Sequence, residues 1–128
     1  MKAETMEAQV PLDLKARTKQ FALQIIRLYT SLPKTTEAQV IGKQLLRSGT
    51  SVGAQYREAQ RAKSDADFIN KVEGSLQELD ETGYWLELLK DSKIFSAEKP
   101  DPLLKETDEL TAILVTIVKK VKNKRMSR

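Results

Sequence analysis

Lys43, Arg47, Arg57 and Arg61 recur at intervals that place all four cations on one stripe of a helix. At about 100° per residue, with Lys43 set to zero, Arg47 falls near 40°, Arg57 near −40° and Arg61 near zero. The apolar Ile41, Leu45, Val52, Tyr56 and Ala59 fall between about 160° and 220°, directly opposite. Only Thr50 and Ala54 interrupt the stripe. Such a line of cations suits a phosphate backbone, though a solvated helix face has the same pattern. A second basic cluster is Lys119-Lys120-Val121-Lys122-Asn123-Lys124-Arg125. Cations favour a helix C-terminus and are common at chain ends, but this cluster exceeds what the helix dipole needs. Polyanion binding is the chemistry both clusters suit.

Other chemistries fall away by composition. The 128 residues contain neither histidine nor cysteine. That removes zinc fingers, disulfide frameworks, imidazole bases and Cys nucleophiles. Glu78, Asp80, Glu81 and Glu87 invite a di-iron reading, but such sites need a Glu-x-x-His pair. Gly42-Lys43 lacks both the preceding glycine and the following Ser or Thr of a P-loop. Hence no metal, no cofactor and no catalytic residue is expected, and the protein is read as a non-enzyme. No apolar run approaches the roughly 20 residues that cross a bilayer, and no secretory h-region is visible. A soluble cytoplasmic protein without membrane partners is the expectation.

The elements that must position these cations are four amphipathic helices, with no alternating strand pattern. The first runs from about Leu12 to Ser31, its ladder being Phe21, Ile25, Leu28 and Leu32, and Leu32-Pro33 ends it. The second follows Thr36 as N-cap and reaches about Arg61, with Ala38, Ile41, Leu45, Ser48, Val52, Tyr56 and Ala59 inward. Ser64 caps the third, whose Asp65 and Asp67 favour the positive end of the helix dipole. Its ladder is Phe68, Val72, Leu76, Leu79, Gly83, Leu86 and Leu89, ending near Asp91. After the Pro100 and Pro102 loop, the fourth shows Leu103, Thr107, Leu110, Leu114, Ile117 and Val121. Short connections make successive helices antiparallel neighbours. The fold class is therefore all-α, an antiparallel up-down-up-down four-helix bundle. It divides into an N-terminal arm (1–11), the bundle (12–122) and a basic tail (123–128).

Gly42, Gly49 and Gly53 share one flank of the second helix, where each costs about 1 kcal/mol relative to alanine. Close approach of another backbone explains them, either a neighbour within the bundle or a second subunit. Charge divides just as sharply. Residues 12–63 carry a net +7, residues 64–118 a net −8 and residues 119–128 a net +6.

From Gln44 the text is distinctive: Gln44-Leu45-Leu46-Arg47-Ser48-Gly49-Thr50-Ser51-Val52-Gly53-Ala54-Gln55-Tyr56-Arg57-Glu58-Ala59, then Ser64, Asp67-Phe68, Gly74-Ser75-Leu76-Gln77-Glu78-Leu79-Asp80-Glu81-Thr82 and Tyr84-Trp85-Leu86. This resembles the bacterial four helix bundle protein family, encoded in intervening sequences of the large-subunit ribosomal RNA gene and often labelled S23 ribosomal protein. Gln55 stands where that pattern usually carries asparagine. The resemblance implies a homo-oligomeric bundle, pentameric in this family. It also implies kinship with the accessory proteins of diversity-generating retroelements, basic pentamers that bind nucleic acid and a reverse transcriptase. It implies neither a working part of the ribosome nor any catalytic residue.

The expected function is therefore non-enzymatic nucleic-acid binding by a homo-oligomer, RNA ahead of DNA, through Lys43, Arg47, Arg57, Arg61, Lys119, Lys120, Lys122, Lys124 and Arg125. The alternative is an oligomeric scaffold for a protein partner such as a polymerase. Gly49, Gly53, Tyr84 and Trp85 are the expected subunit interface, closing a ring between unlike-charged sides. On that expectation Gly49→Lys or Gly53→Lys dissociates the ring and leaves the helices packed.

Overall fold

The computed structural model describes residues 13–96 and 98–127, which form four helices and no strand. α1 spans Leu14–Thr30, α2 Thr36–Gln60, α3 Asp65–Asp91 and α4 Asp101–Met126. Side-chain oxygens cap three of them. Asp13 accepts from the Ala16 amide, Thr35 from Ala38 and Ser64 from Asp67. The cap of α2 is thus Thr35 rather than Thr36, one residue earlier than the sequence suggests. Pro100 and Pro102 do not delay α4, because the first helical turn needs no donor from them. The expected N-terminal arm lies outside the described residues.

Consecutive helices pack side by side, α1 on α2, α2 on α3 and α3 on α4, and α1 meets α4 along a looser fourth edge. The chain is an all-α up-down-up-down bundle. Phe21, Ile25, Leu45, Val52, Leu79, Leu86, Leu110 and Leu114 fill its centre.

In α3 the buried positions are Ile69, Val72, Ser75, Leu79, Thr82, Leu86 and Leu89. Phe68, Leu76 and Gly83, which the apolar pattern puts inside, are half-buried instead. The reason is a narrow seam with α2, where hydroxyl groups find partners across the helix pair. Ser75 Oγ donates to the Val52 carbonyl at 2.9 Å, and the Thr82 and Ser48 hydroxyls lie 2.8 Å apart. A buried hydroxyl with a partner avoids the desolvation penalty that an unpaired one incurs. Gly74 belongs to the same seam, because the Gln55 amide oxygen fills the space a Cβ would need.

Candidate nucleic-acid interface

The stripe on α2 is present but unequal. Lys43, Arg57 and Arg61 are exposed and make no ion pair among the described residues. Arg47 is also exposed, yet its guanidinium lies 2.6 Å from Glu81 and 3.3 Å from Glu78 of α3. The offset of about 40° decides this: Arg47 leans toward α3, whereas Arg57, about 40° the other way, leans toward α1. Lys43 sits about 27 Å along the helix axis from Arg61, near the opposite end of the bundle.

The glycine flank sets how α1 lies on α2. A Cβ at Gly49 would stand 2.8 Å from Ile25 Cγ1, and one at Gly53 would stand 2.9 Å from Thr18 Oγ1. Gly42 faces Leu32 and Tyr29. The close approach is therefore within one chain. Gly49 and Gly53 are buried beneath α1, which corrects their assignment to a subunit interface. A lysine at either position would be driven between α1 and α2, so it would loosen the bundle rather than only an oligomer. The same register brings the start of α1 beside the end of α2. Exposed Lys15 and Lys19 then lie on the α2 side of α1, with Lys15 about level with Arg57. Sequence reading missed both lysines, because only the pairing of α1 with α2 reveals their company.

α4 brings the second cluster to the same end. The helix continues to Met126, so residues 123–126 are helical rather than a separate tail. Lys119, Lys120, Lys124 and Arg125 are exposed, and Lys122 Nζ lies 3.4 Å from Glu73 Oε2 of α3. Val121 shares a cleft of about 440 Å³ with Ala59, Lys63, Ser64 and Phe68, which sets this end of α4 against the α2–α3 turn. Cations from α1, α2 and α4 thus converge on one end of the bundle. Among the described residues the acids there are Asp13, Asp65, Asp67, Glu58 and Glu73, of which Glu58 pairs with Lys71 and Glu73 with Lys122.

The other flank is acidic. Asp80, Glu81, Glu87 and Asp108 surround Tyr84 in an open cleft of about 550 Å³ between α3 and α4. Tyr84 is 55% exposed and meets the Trp85 ring edge-on at 5.0 Å. Trp85 is half-buried, and its indole N–H is buried without an acceptor among the described residues. Among the described residues no group of acidic side chains is arranged to hold a metal ion. The shifted titrations are structural in origin. Contact with Glu106, Glu58 and Asp101 raises Arg17, Lys71 and Lys90 respectively, and burial raises Tyr56.

Comparison with known proteins places this geometry. The family described as 23S rRNA-intervening sequence protein matches residues 11–116. A solved protein of unknown function from the S23 ribosomal protein family of Bacteroides thetaiotaomicron is 42% identical, with a TM-score of 0.77. The match covers 82% of this chain and 97% of that one. No curated protein matches. No helix among the described residues is long and apolar enough to cross a membrane.

Proposed function

The chain belongs to the 23S rRNA-intervening sequence protein family, and from that premise we propose that it is a cytoplasmic, non-enzymatic homo-oligomer that binds nucleic acid, RNA ahead of DNA. The observation that carries this reading is the convergence of cations from three helices on one end of the bundle. Each long side chain there reaches solvent, and none of Lys15, Lys19, Arg57, Arg61, Lys120 and Lys124 is spent on an ion pair among the described residues. Neutralising phosphates releases condensed counterions, which is the main source of sequence-independent affinity. Contacts of this kind position a nucleic acid without reading its bases. The family's genetic context, an insertion in ribosomal RNA, puts RNA first.

Anisotropy titrations against mixed RNA and DNA across a salt series test the reading. Log affinity should fall linearly with log salt, and charge reversal at Arg57 and Arg61 together should flatten the slope by about two contacts' worth, roughly 1.4 to 1.8. No binding at about 50 mM salt overturns it. A scaffold for a protein partner is the second reading, supported by the exposed Tyr84 in its acidic cleft. A partner retained at high salt and lost on Tyr84→Ala would favour that reading.

A further inference from the structure

α1 meets α4 along the loosest edge of the bundle, and two clefts lie in that seam. One, of about 480 Å³, begins at Asp13; the other, of about 310 Å³, reaches Ser31. Gln24 and Pro102 border both, so the two make one trough along α1. From Asp13 to Ser31 it is about 27 Å long at 1.5 Å per residue. Apolar atoms make up most of its lining, with Phe21 and Leu28 on the α1 side and Leu103 on the α4 side. At the far end Arg27 and Lys99 stand on the rim. Both are exposed, and neither makes an ion pair among the described residues. Asp13 caps α1 and borders the trough, so the chain before it leaves the helix axis at the mouth of the trough. Twelve residues precede Asp13 and lie outside the described residues.

We infer that residues 1–12 seat in this trough of their own chain, with Met6 and Val10 on its apolar floor and Glu4 and Glu7 toward Arg27 and Lys99. The inference is independent of the nucleic-acid reading. Three features carry it. The first is reach: with two residues spent on reversing direction, the other ten extend to about 33 Å, longer than the trough. The second is pattern. Met6 and Val10 stand four residues apart, about 13 Å when extended, and Phe21 and Leu28 are about 10 Å apart along α1. The third is charge, since the segment carries Glu4 and Glu7 against Lys2 and the rim offers two cations. Attachment at Asp13 also gives the segment an effective concentration of about a millimolar, which no partner in dilute solution matches.

The chain contains no cysteine, so an introduced pair reports alone. Ala8→Cys is combined with Gln20→Cys or Gln24→Cys on the trough, and with Gln77→Cys on the exposed face of α3 as control. In dilute full-length protein, one trough pair or both should form an intrachain disulfide about ten-fold or more faster than the control. Adding Met6→Asp with Val10→Asp should return that rate to the control value. In the cysteine-free chain the same two changes should quicken amide exchange in α1 and α4 about ten-fold and leave the α2–α3 seam unchanged. Trough pairs no faster than the control overturn the inference, as does a fast pair indifferent to the two aspartates. A disulfide that joins two chains also overturns it and gives the trough to a second copy.

Discussion

At Gly49 an added methyl group would press on Ile25, a β-branched side chain with no exposed surface and little freedom to turn away. At Gly83 the nearest neighbour of the same methyl group is Thr107 Cγ2, at an ordinary 3.7 Å. The two glycines therefore respond to alanine with opposite signs. Gly83→Ala should stabilise by up to about 1 kcal/mol through helix propensity alone. Gly49→Ala gains the same propensity but overpacks the α1–α2 contact, which costs about 1 to 3 kcal/mol, so a net loss is expected. Urea midpoints of the two variants decide it, and equal shifts would show that α1 yields at Gly49. Tyr56 offers a second residue-level test. Burial, then the Asp13 carboxylate, raises its phenol above the usual value, so the folded chain keeps the proton after the unfolded chain has lost it. Stability from this group is complete below the unfolded pKa of about 10 and is lost as pH rises through the raised folded value. Tyr56→Phe should flatten the alkaline decline of the urea midpoint above about pH 10, leaving only a constant offset from wild type below about pH 9. An unaltered alkaline limb would assign that decline to other groups.

Among the elements, α1 is the one held from two sides by different means. Glycines let it sink into α2, whereas against α4 it relies on Arg17, whose guanidinium lies 2.6 Å from Glu106 and 2.7 Å from Glu109. The seam around this clasp is open, with a cleft of about 480 Å³ bordered by Phe21, Gln24 and Pro102. Arg17→Met keeps the aliphatic stem but leaves Glu106 without its partner, and a loss of about 1 to 3 kcal/mol is expected. Amide exchange should quicken in α1 before α2 or α3; uniform exchange across all four helices would show that the clasp does not hold this seam. The four helices themselves were legible in the sequence, because the 3.6-residue spacing of Phe21, Ile25 and Leu28, or Leu110 and Leu114, depends on no neighbour. Ser75 and Thr82 were not, since a hydroxyl belongs in a core only where another helix supplies its partner. Lys15 and Lys19 were hidden for the same reason: their meaning depends on which helix lies alongside. The helical end of α4 was obscured because no apolar ladder continues past Val121 into Lys122–Met126.

At the scale of the whole molecule, the charge split becomes a shape. The α1–α2 surface carries the cations, the α3–α4 surface carries Asp80, Glu87 and Asp108 around Tyr84, and the basic end caps the bundle. Two copies facing each other with like sides would repel, whereas unlike sides attract, and that contact is heterologous and closes into a ring when the rotation allows. Opposed charge orients such a contact, but apolar surface must supply most of its affinity. With Gly49 and Gly53 inside the fold, Tyr84 and the Trp85 ring it meets edge-on are the remaining interface candidates from the sequence. A side-to-side ring would also turn every basic end toward one rim, so that on the proposed reading the cations of all subunits would meet one polyanion together and avidity would multiply their individual strength. The expected particle is a cyclic oligomer, five-fold by the resemblance of the sequence, and five copies of the 14.5 kDa chain weigh about 73 kDa. Tyr84→Lys should dissociate it, since it replaces apolar contact area on an exposed position without touching the core, and circular dichroism should stay unchanged. Gly49→Lys should instead lower the unfolding midpoint. Light scattering at micromolar concentration and moderate salt measures the mass directly: a wild-type monomer refutes the ring, and an oligomer indifferent to Tyr84→Lys moves its interface to another face of the bundle.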